Sequence, residues 1–341
     1  MSKLFLNFDE FIEQYNQRPP VQYLWGGIPN NSFGFIFGPS KSGKTIFCEN
    51  LAMSLAIGRH DFMGQDMNTD PQKVLIVGLE EFWANRAERN VKQFQALNDD
   101  EKLQVRQNLM VQNTDFQKYI SCKDDWKKLK ELIEESGAQT VIIDSLTRLN
   151  HSTIEESSVG QEITSHLRAI KDELEINLFV IHHSTKNQKN GMSMDSMAGT
   201  RVFAQEADFA IAISKVESKN GVKQRYMKQI FYRYAADDSE TVSAFDINPD
   251  NIWLEYKGET SEQDLIQGKD LRINPQKEDA IIEYFQENKT TTITKNQLIA
   301  KFVTNCTMSE RTLEYKLKRL VNSEFLTQPQ KGEYLFNYFN N

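Results

Sequence analysis

The octet Gly38-Pro39-Ser40-Lys41-Ser42-Gly43-Lys44-Thr45 restricts this chain more than any other stretch of it. It satisfies G-x-x-x-x-G-K-[ST] in full, with the apolar run FGFIFG (33–38) before it and a helical pattern, TIFCENLAMSLAIG (45–58), after it. Glycines let successive backbone N–H groups curl around a phosphate, and the helix that follows adds its positive N-terminal end. In such a loop Lys44 reaches the outer phosphates, the Thr45 hydroxyl binds Mg²⁺, and Ile46 continues the cradle into the helix. A glycine turn that binds nothing is the competing reading, and the strand–loop–helix context counts against it. The expected ligand is a nucleoside triphosphate.

The rest of the chain agrees with an α/β core built around that loop. Apolar runs KVLIVGL (73–79), TVIIDSL (140–146), NLFVIHHS (177–184) and DFAIAI (208–213) alternate with amphipathic helical patterns. Short, nearly continuous apolar strands between helices predict a parallel sheet covered on both faces. After residue 213, RYMKQIFYRYA and SAFDINPDNIWLEYKG alternate as antiparallel strands do, with a turn at NPDN. Residues 259–276 are polar and predict a linker between a domain at 1–258, whose first 30 residues form an arm of a helix and a lead-in strand, and a second at 277–341. In that second domain three helical segments and a terminal hairpin predict a winged helix, with Thr294 and Gln297 at capping-box spacing and Ser309 as the N-cap of the third helix.

Composition narrows the class further. With 39% hydrophobic and 26% charged residues the chain reads as globular, and its apolar runs are far too short to span a bilayer. The scattered Cys48, Cys122 and Cys306 fit neither a disulfide framework nor a metal site, so a cytoplasmic location is expected. A net charge of −8 argues against indiscriminate coating of nucleic acid, while local basic faces remain open.

A Mg²⁺-holding carboxylate must end another strand, and Asp144 closes TVIID. The segment order of phosphate loop, VLIVGLEE, VIIDSL, FVIHHSTK and GTRVFAQEADFAI resembles the RecA-fold P-loop ATPases, and within them the plasmid RepA-type and DnaB/KaiC-like group. The likeness spans about residues 20–240. It implies ATP as the nucleotide and places the water-activating glutamate at Glu80, with Glu81 beside it. An acid at position 80 also suits the start of the following helix. The absence of a second acid after Asp144 favours the same branch. The resemblance further implies that Arg89 lies near the nucleotide base and that His183, following His182, senses the γ-phosphate.

Residues 184–201 match a loop that touches DNA inside a ring of subunits, with Lys186 and Lys189 as phosphate contacts. A plain surface loop is the alternative. RepA-like proteins often read S-R-G-S where this chain has Met197-Ala198-Gly199-Thr200, so Ala198 leaves the arginine finger to Arg201 or Arg233. On the winged helix, Arg311, Lys316, Lys318 and Arg319 of the third helix and Lys331 of the wing are the expected DNA contacts, although protein docking is equally a use of that module. Leu313, Leu317 and Leu320 show that much of this helix is core. The function implied is a Mg²⁺-dependent, DNA-coupled ATPase in a homo-oligomer such as a hexameric ring, a RepA-like motor or replication helicase. The alternative is a nucleotide-switched regulatory or DNA-binding ATPase that does not unwind. A small kinase-type enzyme is disfavoured by the winged helix and the histidine-ended strand.

Overall fold

The computed structural model describes residues 5–18, 20–150, 156–185, 191–199, 201–217, 223–233, 241–266, 275–288, 292–304, 310–322, 325–330 and 332–337. The chain divides into two compact units, Met1–Leu271 and Arg272–Asn341.

The first unit opens with α1 (Phe8–Asn16), started by a capping box in which Asn7 Oδ1 accepts from the Glu10 amide at 2.8 Å. None of its residues is buried, and Phe8, Phe11, Ile12 and Tyr15 stand exposed. A hairpin of β1 (Tyr23–Trp25) and β2 (Ile28–Pro29) leads into β3 (Phe33–Gly38) and α2 (Lys44–Ile57). A second small hairpin, β4 (Asp61–Phe62) and β5 (Gln65–Asp66), precedes β6 (Val74–Gly78) and α3 (Trp83–Gln95). Next come α4 (Asp99–Asn108), β7 (Leu109–Val111), α5 (Lys123–Ser136), β8 (Thr140–Asp144), α6 (Ser157–Leu174) and β9 (Asn177–His183). The short helix α7 (Val202–Glu206) joins these to β10 (Phe209–Glu217), β11 (Lys223–Tyr232), β12 (Thr241–Ile247), β13 (Leu254–Ser261) and α8 (Glu262–Ile266).

One nine-stranded sheet organises this unit, in the order β13-β12-β11-β10-β3-β9-β8-β6-β7. From β10 to β7 neighbouring strands run parallel, and from β10 to β13 they run antiparallel. Alternate residues of each central strand face opposite cores. Phe35, Leu75, Val77 and Ile143 pack with Leu129 and Ile133 of α5 and Ile163 and Leu167 of α6. Ile36, Ile76 and Ile142 pack with Phe47, Leu51 and Leu55 of α2. Every residue of β3, β6 and β8 is buried, so these strands read as unbroken apolar runs rather than as alternation.

Two expectations are corrected here. The pair α4–β7 was not foreseen, because only three residues, LMV, carry the strand and the helix before it is almost wholly polar. The linker expected at 259–276 begins instead with the end of β13 and with α8, where Leu265 is buried and Glu262 is 6% exposed. Residues 267–274 lie outside the described part, and so does 234–240 between β11 and β12.

The second unit holds α9 (Pro275–Glu287), β14 (Ile293–Thr294), α10 (Lys295–Leu298) with one π-helical turn after it, α11 (Glu310–Asn322), β15 (Leu326–Thr327) and β16 (Glu333–Phe336). Its strands form a sheet in the order β14-β16-β15. Its core is its own, with Ile281, Phe285, Leu298, Leu313, Leu317 and Phe336 at the centre. The capping box at Thr294 and Gln297 forms, with the Thr294 amide donating to Gln297 Oε1 at 2.8 Å. Ser309 lies outside the described residues.

Candidate active site

The phosphate loop hangs between the end of β3 and the start of α2. Gly43, at φ 103°, turns the chain into the helix in a conformation that an L side chain rarely adopts. Lys41 is also left-handed, at φ 62°. Lys44, 6% exposed, donates through Nζ to the carbonyls of Gly38 at 3.0 Å and Pro39 at 2.8 Å, both within its own loop. The Ser42 hydroxyl is buried with no partner. A curled loop with an inward lysine and an orphaned hydroxyl fits an anion with several acceptor oxygens.

Beside the loop, β8 brings Asp144 to Thr45, whose hydroxyl donates to Asp144 Oδ2 at 2.8 Å. Burial pushes the Asp144 carboxyl up, the Thr45 hydroxyl opposes this, and the nearby Glu80 adds to the rise. A buried carboxylate and a hydroxyl form a hard oxygen donor set beside a phosphate loop, which suits Mg²⁺.

Glu80 follows β6, the neighbour of β8, and so reaches the same edge of the sheet. Its Oε1 accepts from the hydroxyls of both Ser145 and Thr147, immediately beyond Asp144. His183, at the end of β9, stands with Nε2 3.9 Å from the same oxygen, near it but beyond hydrogen-bond length. The His183 imidazole foremost, with the two hydroxyls after it, outweighs burial and holds the Glu80 carboxyl at about 2. Glu80 is therefore a carboxylate at any ordinary pH, held by side chains from three strand ends.

The two histidines divide their work by strand alternation. His182 is fully buried against Phe35 and Phe203, and burial lowers its pKa to about 4. A neutral ring facing a carbonyl must donate, so Nε2–H bonds Ala198 O at 2.7 Å. His183 alone faces Glu80. The same bond ties Ala198 to the base of the segment after β9, where the Ala198 amide also donates to His183 O at 3.1 Å.

Glu81 points elsewhere. Arg89 on α3 donates to Glu81 Oε1 and Oε2 at 2.6 Å each, and to Glu49 Oε1 of α2 at 2.6 Å. Arg89, expected near a nucleotide base, thus bridges α2 to the segment leading into α3, and both carboxylates around it are engaged. Arg86, one turn earlier and 4% exposed, was missed in the sequence. Its guanidinium covers the end of β6 so closely that a Cβ on Gly78 would lie 1.6 Å from Nη2.

The remaining expected positions are dispersed. Arg233 follows β11 at the edge of the sheet opposite the phosphate loop, since Tyr232 pairs with Phe209 and Phe209 with Gly34. There it donates to the carbonyls of Gln205 at 2.9 Å and Ala207 at 3.1 Å. Arg201 is exposed at the start of α7. Lys186, Lys189 and Lys331 lie outside the described residues, and Lys316 is partly buried on α11. Arg311, Lys318 and Arg319 also lie along α11, their side chains outside the described part.

The segment after β9 is anchored a second time, which no sequence signal announces. Glu262 of α8 accepts from the Met192 amide at 2.7 Å, from Tyr226 Oη at 2.8 Å and from Lys228 Nζ. Lys228 Nζ also donates to Met192 O at 2.9 Å. No described helix is long and apolar enough to cross a membrane.

Comparison with known proteins adds three findings. The sequence profile of the family described as AAA domain matches residues 4–189. The fold is similar to a solved helicase ATPase domain, with TM-score 0.52 and 13% identity over 72% of this chain and 94% of that one. A KaiC-like protein of the hyperthermophilic archaeon Pyrococcus horikoshii OT3 aligns at TM-score 0.49 and 17% identity over 69% of this chain and 100% of its own. No curated protein matches the chain by sequence.

Proposed function

The chain belongs to the AAA domain family and is a RecA-fold P-loop ATP hydrolase, and from that premise we propose that it couples Mg²⁺-dependent ATP hydrolysis to DNA. The observation that carries the catalytic part is the placement of the Glu80 carboxylate beside Asp144, Thr45 and His183 at one edge of the sheet.

In this reading the loop amides, Ser42 and Lys44 bind the phosphates, with Lys44 leaving the Gly38 and Pro39 carbonyls for them. Thr45 and Asp144 would hold Mg²⁺, which supplies charge neutralisation to the phosphate oxygens when bound. Glu80 orients the attacking water and takes its proton. Ser145 and Thr147 keep that carboxylate aimed. His183 lies between Glu80 and the start of the 184–201 segment, so a change at the terminal phosphate reaches that segment through one side chain.

The coupling to DNA draws on that segment, with Lys186 and Lys189 as phosphate contacts. It also draws on the second unit, whose three helices and small sheet suit a winged helix with Arg311, Lys316, Lys318, Arg319 and Lys331 facing nucleic acid. The domain division follows the same reading: an ATPase unit with an N-terminal arm, a connecting segment, and the winged helix. A homo-oligomer, in the limit a hexameric ring, would cover the exposed apolar residues of α1 and the exposed Phe82 and Trp83 beside Glu80.

One observation favours the second reading, a nucleotide switch without unwinding. Arg233 is held by carbonyls of its own chain, and Ala198 occupies the other finger position, leaving Arg201 as the exposed choice. Steady-state hydrolysis with and without single-stranded DNA, on samples of determined mass, separates the readings. Strong stimulation in an oligomer supports the motor. Slow turnover indifferent to DNA supports the switch.

A further inference from the structure

The phosphate loop has a second wall, supplied by the antiparallel half of the sheet. Ala212 of β10 pairs with Phe37, so the residues after it run on past the end of β3 and over the loop. The Ile213 carbonyl lies 2.0 Å from where a Cβ on Gly38 would stand. β11 returns beside β10 with Met227 opposite Ile213 and Arg225 opposite Lys215, and β12 sets Phe245 opposite Arg225. Directly opposed residues share a face of the sheet. Ile213, Met227 and Phe245 all belong to the core on the α2 side, so Lys215 and Arg225 continue that face outward.

Arg225 packs on the loop itself. A Cβ on Gly43 would stand 3.6 Å from both its Cδ and its Nε. The Nε–H is buried and donates to nothing, and among the described residues no carboxylate pairs with Arg225 or with Lys215. A guanidinium nitrogen shut away from water without an acceptor is costly, and the cost is recovered where a ligand brings the acceptor.

We propose that Arg225, with Lys215 beside it, is a nucleotide-binding residue acting within its own subunit, on the phosphates nearer the nucleoside. The side follows from the strand order. β9, β8 and β6, which bring His183, Asp144 and Glu80 to the reacting phosphate, lie on one side of β3, and β10 and β11 lie on the other. A cation arriving from β11 past Gly43 meets the part of the polyphosphate that ADP and ATP share. The proposal rests on the ATPase reading above.

The test titrates fluorescent N-methylanthraniloyl ADP, and the same label on a non-hydrolysable ATP analogue, into the full chain as wild type, Arg225→Ala, Arg225→Lys and Lys215→Ala. Arg225→Ala should weaken both ligands alike, by about tenfold or more. Its kcat at saturating ATP should stay within about twofold of wild type. Arg225→Lys should recover part of the loss, because lysine keeps the charge and lacks the fork. Lys215→Ala should lose less. Should Arg225→Ala fail to fold, Arg225→Gln gives the same readout with most of the side-chain stem kept. A folded Arg225 variant that binds ADP as wild type does would overturn the proposal, and so would one that loses kcat with affinity unchanged. A wild-type protein that binds neither ligand overturns the nucleotide-site reading itself, which is a different result.

Discussion

Glu80 and Glu81 are adjacent in sequence and have unlike surroundings. Glu81 is consumed by Arg89, whereas Glu80 receives two hydroxyls and faces His183. Glu80→Gln should therefore lower hydrolysis by about a hundredfold or more with ADP affinity unchanged, whereas Glu81→Gln should leave kcat within a few-fold. Phosphate release and nucleotide titration on the same samples would decide it. The carboxyl of Glu80 is held at about 2 against an ordinary 4.5. A depressed pKa stabilises the fold where the group is charged, so that contribution is complete above the ordinary value and is lost as pH falls through the depressed one. Urea midpoints of wild type and Glu80→Gln should thus converge as buffer is taken from about pH 6 to about pH 3. Gly78 is the other residue-scale test. Because its missing Cβ makes room for the Arg86 guanidinium, Gly78→Ala should cost about 1–3 kcal/mol in urea unfolding, and less in an Arg86→Ala background.

At the scale of elements, the segment after β9 is held at both of its described ends. Its base is tied through Ala198 to the strand that carries His183, and Met192 is tied to β11 and α8 through Glu262 and Lys228. Removing one member of a buried charge pair leaves the other uncompensated. Glu262→Ala should therefore destabilise the first unit by about 3–5 kcal/mol and speed proteolysis between β9 and α7. A cleavage map and an unfolding curve that both match wild type would show that this anchor carries nothing. β3, β6, β8 and β9 were legible in the sequence because burial on both faces makes each an unbroken apolar run. The pair α4–β7 was not, since an edge strand of three partly exposed residues carries little pattern. Helix α8 was hidden for a related reason: what holds Glu262 in place is a tyrosine, a lysine and an amide remote in sequence.

For the molecule as a whole, each unit carries its own core. Leu317 is fully buried at the centre of the second one. Leu317→Ala should cost that unit about 2–5 kcal/mol, read as lost hydrogen-exchange protection across 275–337, while basal ATP hydrolysis continues at its wild-type rate. A collapse of basal turnover in that variant would mean that the first unit depends on the second for its fold.

The phosphate loop, its Mg²⁺ partner Asp144, the α/β class and the two-unit division could all be read along the chain, because each rests on local spacing or on periodic apolar runs. Which side chains meet could not. That Ser145 and Thr147 hold Glu80, that Arg89 spends itself on Glu49 and Glu81, and that Arg225 reaches Gly43 depend on strands brought together by the sheet order. These contacts join residues tens to nearly two hundred positions apart, and no pattern along the chain encodes such distances. Strand order and register do.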